Sequence, residues 1–132
     1  MNNSIKLGLI NCQSFVNKTH TIFEFINSQG IDILALNETY LNSNHEHINL
    51  IKDHLLIRND RTHSRGGGVA IIINKKLNYQ VVEKVSNVNE EYIAFTLENS
   101  GTPTLIIVAY THPKSKTSFD FIEKYSTQFN TR

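Results

Sequence analysis

Apolar residues occur in short runs along most of the chain, and their spacing predicts a strand, a helix and a second strand at the start. The run Ile5–Ile10 is rich in Leu and Ile and ends in the polar stretch 11–14, which is typical of a buried strand leading into a loop. Over Lys18–Gln29 the apolar residues fall at helical spacing, with Asn17 as the predicted N-cap and Gly30 at the C-terminus. Ile31–Leu36 then predicts a second strand, and this order favours a right-handed crossover between parallel neighbours.

The rest of the chain predicts mainly strands with short connections. The polar segment Asn42–His54 predicts a surface loop or a short irregular turn. Five further strands are predicted, at Leu55–Arg58, Val69–Ile73, Tyr79–Val85, Tyr92–Leu97 and Leu105–Tyr110. The short, turn-rich connections between the last of these imply antiparallel pairing. The spacing of Phe119, Ile122 and Tyr125 predicts a final helix over Ser118–Gln128.

Length, charge and cysteine content limit the class of protein. A chain of 132 residues is long enough for one domain with its own core. Thirteen Lys and Arg against twelve Asp and Glu give a net charge of +1, so a nucleic-acid partner would have to meet a local cluster of basic residues. The longest apolar runs, such as Val69–Ile73, fall far short of the ~20 residues that cross a bilayer. The lone Cys12 and the absence of a secretory signal favour an intracellular setting.

Polar side chains follow three predicted strands directly. Asn11 comes after the first strand, Glu38 after the second, and Tyr110 closes the last. If these strand ends lie on the same side of a sheet, an amide, a carboxylate and a phenol converge on one cleft. One carboxylate with a neutral amide is a partial shell for Mg²⁺, which keeps several of its waters. Taken alone, each residue fits a simpler role better, Asn11 as a turn former and Glu38 as a solvated acid.

The glycine run Arg65–Gly68 has two open interpretations. It is not a phosphate-binding P-loop, because no Gly-Lys-Ser/Thr ends it and a strand follows it. It can mark a bulge or a close backbone approach at the start of a strand. Alternatively, Arg58, Arg61 and Arg65 line a rim that contacts the nucleic-acid backbone.

Two further groups of residues favour simple structural roles. His45, His47 and His54 lack the spacing of a zinc site and are expected to be solvated loop histidines. Cys12 has no histidine placed to activate it, so a buried small residue is expected there.

Four segments in the same order resemble the endonuclease/exonuclease/phosphatase superfamily, and above all the apurinic-endonuclease-like domain of non-LTR retrotransposons. They are Leu9–Ser14, Ile31–Leu41, Ile57–Arg61 with Arg65–Ile71, and Val108–Pro113. The resemblance covers residues 1–132 as a single partial domain, similar to the amino-terminal half of the family's domain. It implies an α+β fold of the α/β sandwich type: a mixed β-sheet with flanking helices, about half of a four-layer α/β/β/α deoxyribonuclease-I-like fold.

The resemblance also implies roles for the residues at the strand ends. Asn11 matches the Asn that helps to order the metal and phosphate shell, Glu38 the Glu that binds the divalent metal, and Tyr110 the Tyr that contacts the scissile phosphate. Asn37 stands where many relatives have Gln, and this exchange keeps a side-chain amide at the position. The implied cofactor is Mg²⁺ or Mn²⁺, the implied partner is DNA, and the implied location is the nucleus. The implied function is that of the amino-terminal portion of a magnesium-dependent DNA endonuclease.

The family's later Gly-Asp-x-Asn motif and its closing Asp-His pair have no counterpart in this sequence. Loss of a general base or of a strong donor costs ~10²–10⁴-fold each, so the chain is expected to be inactive on its own. The alternative is a non-catalytic remnant or a module for nucleic-acid or protein interaction. We further expect mainly one sheet, with Val69–Ile73 and Leu105–Ala109 on an uncovered face that makes the chain marginally stable or self-associating.

Overall fold

The computed structural model describes residues 4–46, 48, 52–99, 101–111 and 122–125. In these ranges the chain forms seven strands, an α-helix between the first two strands, and short 3₁₀ turns at Val16–Lys18 and Ser43–His45. The elements are β1 Leu7–Asn11, α1 Thr19–Gln29, β2 Ile33–Asn37, β3 His54–Asn59, β4 Val69–Asn74, β5 Asn78–Ser86, β6 Glu91–Asn99 and β7 Thr102–Ala109. Residues 122–125 are also helical.

The first sheet contains four strands in the order β1-β2-β4-β3. β1 and β2 are parallel and are joined by α1, as the strand, helix and strand pattern predicted. β4 pairs antiparallel with both β2 and β3. The parallel register places Asn11 opposite Asn37, so both strands end at the same edge of the sheet.

The amphipathic helix is confirmed, but its predicted N-cap is wrong. Ile22 and Ile26 of α1 are buried, and Gly30 ends the helix with a φ of 63° and an N–H that bonds to the carbonyl of Ile26. Asn17 lies inside the preceding 3₁₀ turn, and the helix starts without a side-chain cap. The turn begins early because Phe15 is fully buried, which fixes the chain against the first sheet before the helix starts.

The expectation of one sheet with an uncovered face is also wrong. β5, β6 and β7 form a second, antiparallel sheet. It packs on the first sheet through a shared core of Ile33, Val69, Ile71, Ile73, Ile93, Phe95, Leu97 and Val108. α1 covers the other face of the first sheet, so Val69–Ile73 is completely buried. The strands after β4 fold back as a second layer because β4 is apolar on both faces and has to be covered on both.

The second sheet is one strand narrower than the first. β3 packs against β5, β4 against β6 and β7, and β2 against β7, so β1 lies at the margin of the sandwich. Leu7 and Leu9 of β1 are 57% and 67% exposed. The uncovered apolar surface is therefore at the β1 edge, not on β4 as predicted.

The predicted final helix is described only in part. Residues 122–125 are helical, and Tyr125 packs edge-on against Tyr92 of β6 with ring centroids 6.3 Å apart. The rest of the predicted helix Ser118–Gln128 lies outside the described residues. Within the ranges that the structure describes, none of the helices is long and apolar enough to span a membrane.

Candidate active site

Glu38 and Tyr110 meet at one end of the sandwich although they are 72 residues apart in the sequence. Glu38 directly follows β2 and Tyr110 directly follows β7, so the two sheets each contribute one side chain. The Tyr110 hydroxyl donates a hydrogen bond of 2.9 Å to Oε1 of Glu38. Burial, together with this bond, raises the pKa of Tyr110 to about 12. Tyr110 is therefore neutral at pH 7, and its hydroxyl acts as a donor to the carboxylate.

Asn11 lies at the same end of the molecule. It is exposed and stands opposite Asn37 in the parallel register, and Asn37 immediately precedes Glu38. Paired residues on neighbouring parallel strands point to the same face, about 4.8 Å apart. The structure thus brings the three strand-end residues Asn11, Glu38 and Tyr110 to one end of the sandwich. Their catalytic and metal-binding roles stay predictions.

The backbone holds Glu38 in an unusual conformation. Its φ of 54° is in the left-handed region, which non-glycine residues rarely adopt. The neighbouring loop supports this geometry, because Ser14 donates its N–H to the Glu38 carbonyl at 3.0 Å. On the other side, the N–H of Thr39 donates to the Gly68 carbonyl at 3.2 Å, and that of Tyr40 donates to the Gly67 carbonyl at 2.9 Å. Loops from three strands therefore fix the direction of the Glu38 side chain.

The glycine run allows this close approach of backbones. Gly68 has a φ of 92°, and a Cβ at this position would overlap the hydroxyl of Thr39. Gly67 has a φ of 63°, and a Cβ there would overlap the guanidinium of Arg61. The structure confirms the close backbone approach, while the interpretation of the arginines as a nucleic-acid rim stays a prediction.

Sequence analysis missed a buried ion pair beside this loop. Arg61 Nη2 lies 2.8 Å from Glu91 Oε2, and the two side chains are only 11% and 4% exposed. The other oxygen of Glu91 accepts a hydrogen bond from the Gly68 N–H. The Arg61 guanidinium also lies over the Tyr110 ring, 5.8 Å from its centroid. In the sequence, the one signal for this pair is a glutamate, Glu91, at the start of an apolar strand. That signal does not identify Arg61 as its partner.

The three arginines predicted to contact nucleic acid have different surroundings. Arg58 makes two bonds to Asp60, at 3.2 and 2.6 Å, and donates to backbone carbonyls of Asn42 and His45. Arg61 is held by Glu91, whereas Arg65 is exposed. These contacts do not test binding to DNA, so that role stays a prediction for all three.

A cleft of about 480 Å³ opens beside Tyr110. Its walls come from the loop that precedes β4 and from the hairpin between β5 and β6, and include Arg61, His63, Arg65, Asn87, Asn89 and Tyr110. The cleft thus places two of the three predicted arginines next to the phenol.

The side chains at this end carry oxygen atoms of the types that Mg²⁺ binds. Glu38 Oε1 accepts the Tyr110 bond, and within the described ranges its other oxygen accepts none. The side-chain oxygen of Asn37 is buried and, in the described part of the chain, has no hydrogen-bond partner. With Asn11 these residues offer one carboxylate and two amide oxygens, which are ligands that Mg²⁺ accepts together with water. No cluster of three or more His, Cys, Asp or Glu exists among the described residues, so the protein's share of such a shell is small.

Cys12 and the histidines have structural surroundings. Cys12 is buried, its Sγ donates to the backbone carbonyls of Asn37 and Glu38, and burial raises the pKa of its thiol. His45 accepts the N–H of Asn42, and His54 contacts the carbonyl of Ile31. The surroundings of Cys12 match the buried role expected for it. The expectation of a solvated loop histidine is wrong for His54, which is a part-buried residue at the start of β3. His47 lies outside the described residues.

Comparison with known sequences identifies a family. The sequence profile of the Endonuclease/Exonuclease/phosphatase family matches residues 8–123. No curated protein is similar enough in sequence to match the chain.

Several solved structures share the fold. The endonuclease domain of TRAS1, a telomere-specific non-LTR retrotransposon, superimposes with a TM-score of 0.62 at 13% identity, over 91% of this chain and 49% of that domain. The AP endonuclease LMAP from Leishmania major gives 0.64 at 14% identity, over 92% and 43%. A variant of the 3′ phosphatase NExo from Neisseria, bound to a product DNA hairpin, gives 0.51 at 15% identity, over 96% and 48%. The chain spans slightly less than half the length of each of these structures.

Proposed function

The chain belongs to the endonuclease/exonuclease/phosphatase family, and from that premise we propose that it forms the amino-terminal portion of a metal-dependent DNA endonuclease of the non-LTR retrotransposon type. The hydrogen bond between Tyr110 and Glu38 carries this proposal, because it joins the ends of two sheets into one polar site. The similar structures are nucleases and a phosphatase, one of them with DNA bound, which supports DNA as the class of substrate.

In this proposal Glu38 and Asn11 bind Mg²⁺, or Mn²⁺ in its place, and Asn37 offers a third oxygen. When bound, the metal neutralises negative charge on the scissile phosphate. The chain's own residues hold and orient the reacting group. Glu38 supplies the one anionic ligand from a backbone position fixed by its left-handed φ, and the two amides add neutral oxygens without repelling the phosphate.

Tyr110 positions the scissile phosphate. Its neutral hydroxyl lies at the rim of the cleft and can share its proton between Glu38 and a phosphate oxygen. Arg65, exposed in the same cleft, attracts the DNA backbone. Arg58 and Arg61 contribute less directly, because contact with a phosphate would compete with their bonds to Asp60 and Glu91.

We propose that the 132-residue chain is catalytically inactive by itself. In-line hydrolysis needs a group that orients and deprotonates the attacking water. Glu38 accepts the Tyr110 hydrogen bond, the neutral Tyr110 is a poor base, and within the described ranges no group of three or more His, Cys, Asp or Glu side chains gathers around them. A site without its base loses ~10²–10⁴-fold in rate, and loss of a strong donor costs a further factor of similar size.

A second candidate is a non-catalytic module that binds nucleic acid. The exposed Arg65 beside an open cleft favours it, since a single cationic rim can hold a phosphate backbone without any chemistry. Binding of this kind weakens steeply with salt and tolerates the loss of Glu38. For either candidate we propose action inside the cell, in the nucleus if an intact element is functional.

Self-association is proposed at the β1 edge. Leu7 and Leu9 line an apolar groove of about 480 Å³ with Ala35, Ile106 and Val108. β1 and β7 are edge strands of their sheets, so each molecule presents unpaired backbone next to this groove. A second copy related by a two-fold axis presents the same edge and can cover the groove.

A plasmid-nicking assay tests the proposed function. Supercoiled DNA is incubated with the purified chain and Mg²⁺, with the Glu38→Ala variant as the matched control. We expect no nicking above the metal-free background. Nicking that disappears with Glu38→Ala would contradict the proposed inactivity, while it would support the site itself.

Two further observations separate the candidates. Salt-sensitive binding of a fluorescent duplex that is equal for the chain and Glu38→Ala favours the non-catalytic module. A reading frame that continues after residue 132 and encodes Gly-Asp-x-Asn followed by Ser-Asp-His favours the endonuclease, and a stop codon there favours the module.

A further inference from the structure

The ion pair between Arg61 and Glu91 is buried, unlike an ordinary salt bridge on a protein surface. Arg61 Nε donates a hydrogen bond of 2.9 Å to Oε2 of Glu91, and Nη2 lies 2.8 Å from the same oxygen. Both side chains are almost fully shielded from water. Burying an ion pair costs much of its attraction in lost hydration, and an apolar pair of similar volume often stabilises a fold as well or better. Stability alone is therefore a weak reason for such a pair at this position.

Two chains of contacts lead from Glu91 to Glu38. In the first, Glu91 fixes Arg61, whose guanidinium lies over the Tyr110 ring, and Tyr110 donates to the Glu38 carboxylate. The Glu91 carbonyl also accepts the Tyr110 N–H at 2.9 Å, so Tyr110 is held at both its backbone and its ring.

The second series of contacts passes through Gly68. Oε1 of Glu91 accepts the Gly68 N–H, and the Gly68 carbonyl accepts the N–H of Thr39, the residue after Glu38. Glu91 thus bonds to Tyr110, which is the side-chain partner of the Glu38 carboxylate, and to Gly68, which supports the backbone next to Glu38. Gly67 leaves the space that the Arg61 guanidinium needs.

We propose that Glu91 and Arg61 are positioning residues, which set the orientation of the Tyr110 and Glu38 side chains for a divalent cation. Neither residue contacts the cation. Arg61 is held as a fixed positive charge against the phenol ring, and its pairing with Glu91 keeps it from binding the Glu38 carboxylate in place of the metal. This inference rests on the proposed function, because it assigns the pair to the same metal site.

The test compares the Glu91→Gln variant with Glu98→Gln, which changes an exposed glutamate at the other end of β6. The first measurement is Mn²⁺ affinity at pH 7, from the electron paramagnetic resonance signal of free Mn²⁺. The second is the ¹³C shift of the hydroxyl-bearing ring carbon of Tyr110, which reports its bond to Glu38 without any metal. Thermal unfolding establishes that each variant is folded.

We expect Glu91→Gln to weaken Mn²⁺ binding by about 10-fold or more, which is the range for residues that orient metal ligands. The Tyr110 ring shift should move in the same variant, while Glu98→Gln matches the unchanged protein in both measurements. A folded Glu91→Gln protein with an unchanged ring shift overturns the inference. If the Tyr110 ring shift changes but the Mn²⁺ affinity does not, the proposed effect of the pair on cation binding is wrong.

Glu91→Gln leaves the Arg61 charge unpaired. The double variant Arg61→Gln/Glu91→Gln therefore removes both charges at once. Thermal unfolding checks that the double variant keeps the fold. We expect the same loss of affinity and the same shift, and wild-type values for both would contradict the inference.

Failure of the proposed function gives a different pattern. In that case the unaltered chain binds no Mn²⁺, or Glu38→Gln leaves the affinity unchanged. The Tyr110 ring shift then still decides whether Glu91 orients the phenol.

Discussion

Glu38 shows how one residue can be placed by strain and by its neighbours. A left-handed φ at a residue with a Cβ costs about 1–2 kcal/mol, and hydrogen bonds from Ser14 and to Gly68 offset that cost. The strained residue carries the carboxylate that accepts the Tyr110 hydroxyl. Backbone strain at such a point is common where a side chain has to be aimed.

The Gly68→Ala substitution tests the glycine run at the residue scale. Its Cβ would carry the left-handed penalty of about 1–2 kcal/mol and, by overlap with Thr39, about 1–3 kcal/mol more. The matched control is Gly30→Ala, which has a φ of 63° but open space around its Cβ. Urea unfolding should show a clearly larger loss of stability for Gly68→Ala. Equal losses would mean that the close approach to Thr39 has no energetic effect.

Asn11, Glu38 and Tyr110 could be singled out from the sequence because each stands at the end of an apolar strand. It could not find the pairing of Arg61 with Glu91, since long-range side-chain contacts leave no local pattern. Asn37 was noticed only for its residue type. Its unpartnered oxygen became visible through the register that places it beside Asn11.

At the scale of single elements, β1 is the least covered strand of the first sheet. It has a partner on one side, and its outward leucines extend past the edge of the second sheet. An exposed apolar edge strand invites pairing with another chain. The boundaries of β1 and β2 were shifted by one or two residues in the prediction, because apolar pattern alone does not show where pairing stops.

The double substitution Leu7→Lys/Leu9→Lys tests self-association through this edge. Both side chains are largely exposed, so their replacement should cost little stability while the charges oppose pairing of two copies. Sedimentation velocity over a range of concentrations should show an associating wild-type chain and a monomeric variant. The control is Val88→Lys in the β5–β6 hairpin, 76% exposed, which should associate as the wild type does. Association of the double variant at wild-type strength would exclude this edge.

The helical turn at 122–125 is attached to the second sheet through Glu83 of β5. Its carboxylate accepts hydrogen bonds from Tyr92, at 3.2 Å, and from Tyr125, and it lies 3.3 Å from Lys124 Nζ. The Tyr125 bond, followed by Lys124, lowers the pKa of Glu83. The contribution of the Glu83 carboxylate to folding stability is therefore complete above its unfolded-state pKa of about 4.3. It is lost as the pH falls through the lower pKa of the folded state.

The Glu83→Gln substitution tests this attachment. We expect the melting temperature of the wild-type chain to fall more steeply than that of the variant as the pH is lowered from about 4.3, because only the wild type has this carboxylate to protonate. Near pH 7 the variant should be the less stable of the two. Parallel melting curves over the whole acid range would show that Glu83 contributes nothing as an anion.

At the scale of the whole molecule, the fold class followed from the sequence but the layering did not. Strands, helix and their order were predicted, and the family resemblance is confirmed by the match over residues 8–123. The one-sheet expectation failed because an apolar run such as Val69–Ile73 does not reveal how many layers cover it. With two packed sheets, the chain has a core that the one-sheet expectation lacked.

The two-sheet arrangement also explains why the site exists at all in this chain. β2 and β7 belong to different sheets, and only their face-to-face packing brings Glu38 to Tyr110. The same end of the sandwich contains the Arg61–Glu91 pair and the exposed Arg65. The candidate site therefore depends on the packing of the two sheets. A change that separates the sheets should also separate Glu38 from Tyr110.

The central claim, that the strand ends around Glu38 bind a divalent cation, is tested most directly by Mn²⁺-induced broadening of backbone amide signals in the isotope-labelled chain. We expect the signals of Asn11, Glu38 and Tyr110 to broaden first, at the lowest Mn²⁺ concentration, and we expect Glu38→Gln to abolish this effect. Broadening centred elsewhere, such as around Asp60 or Glu83, or broadening that persists at the same residues in Glu38→Gln, would contradict it.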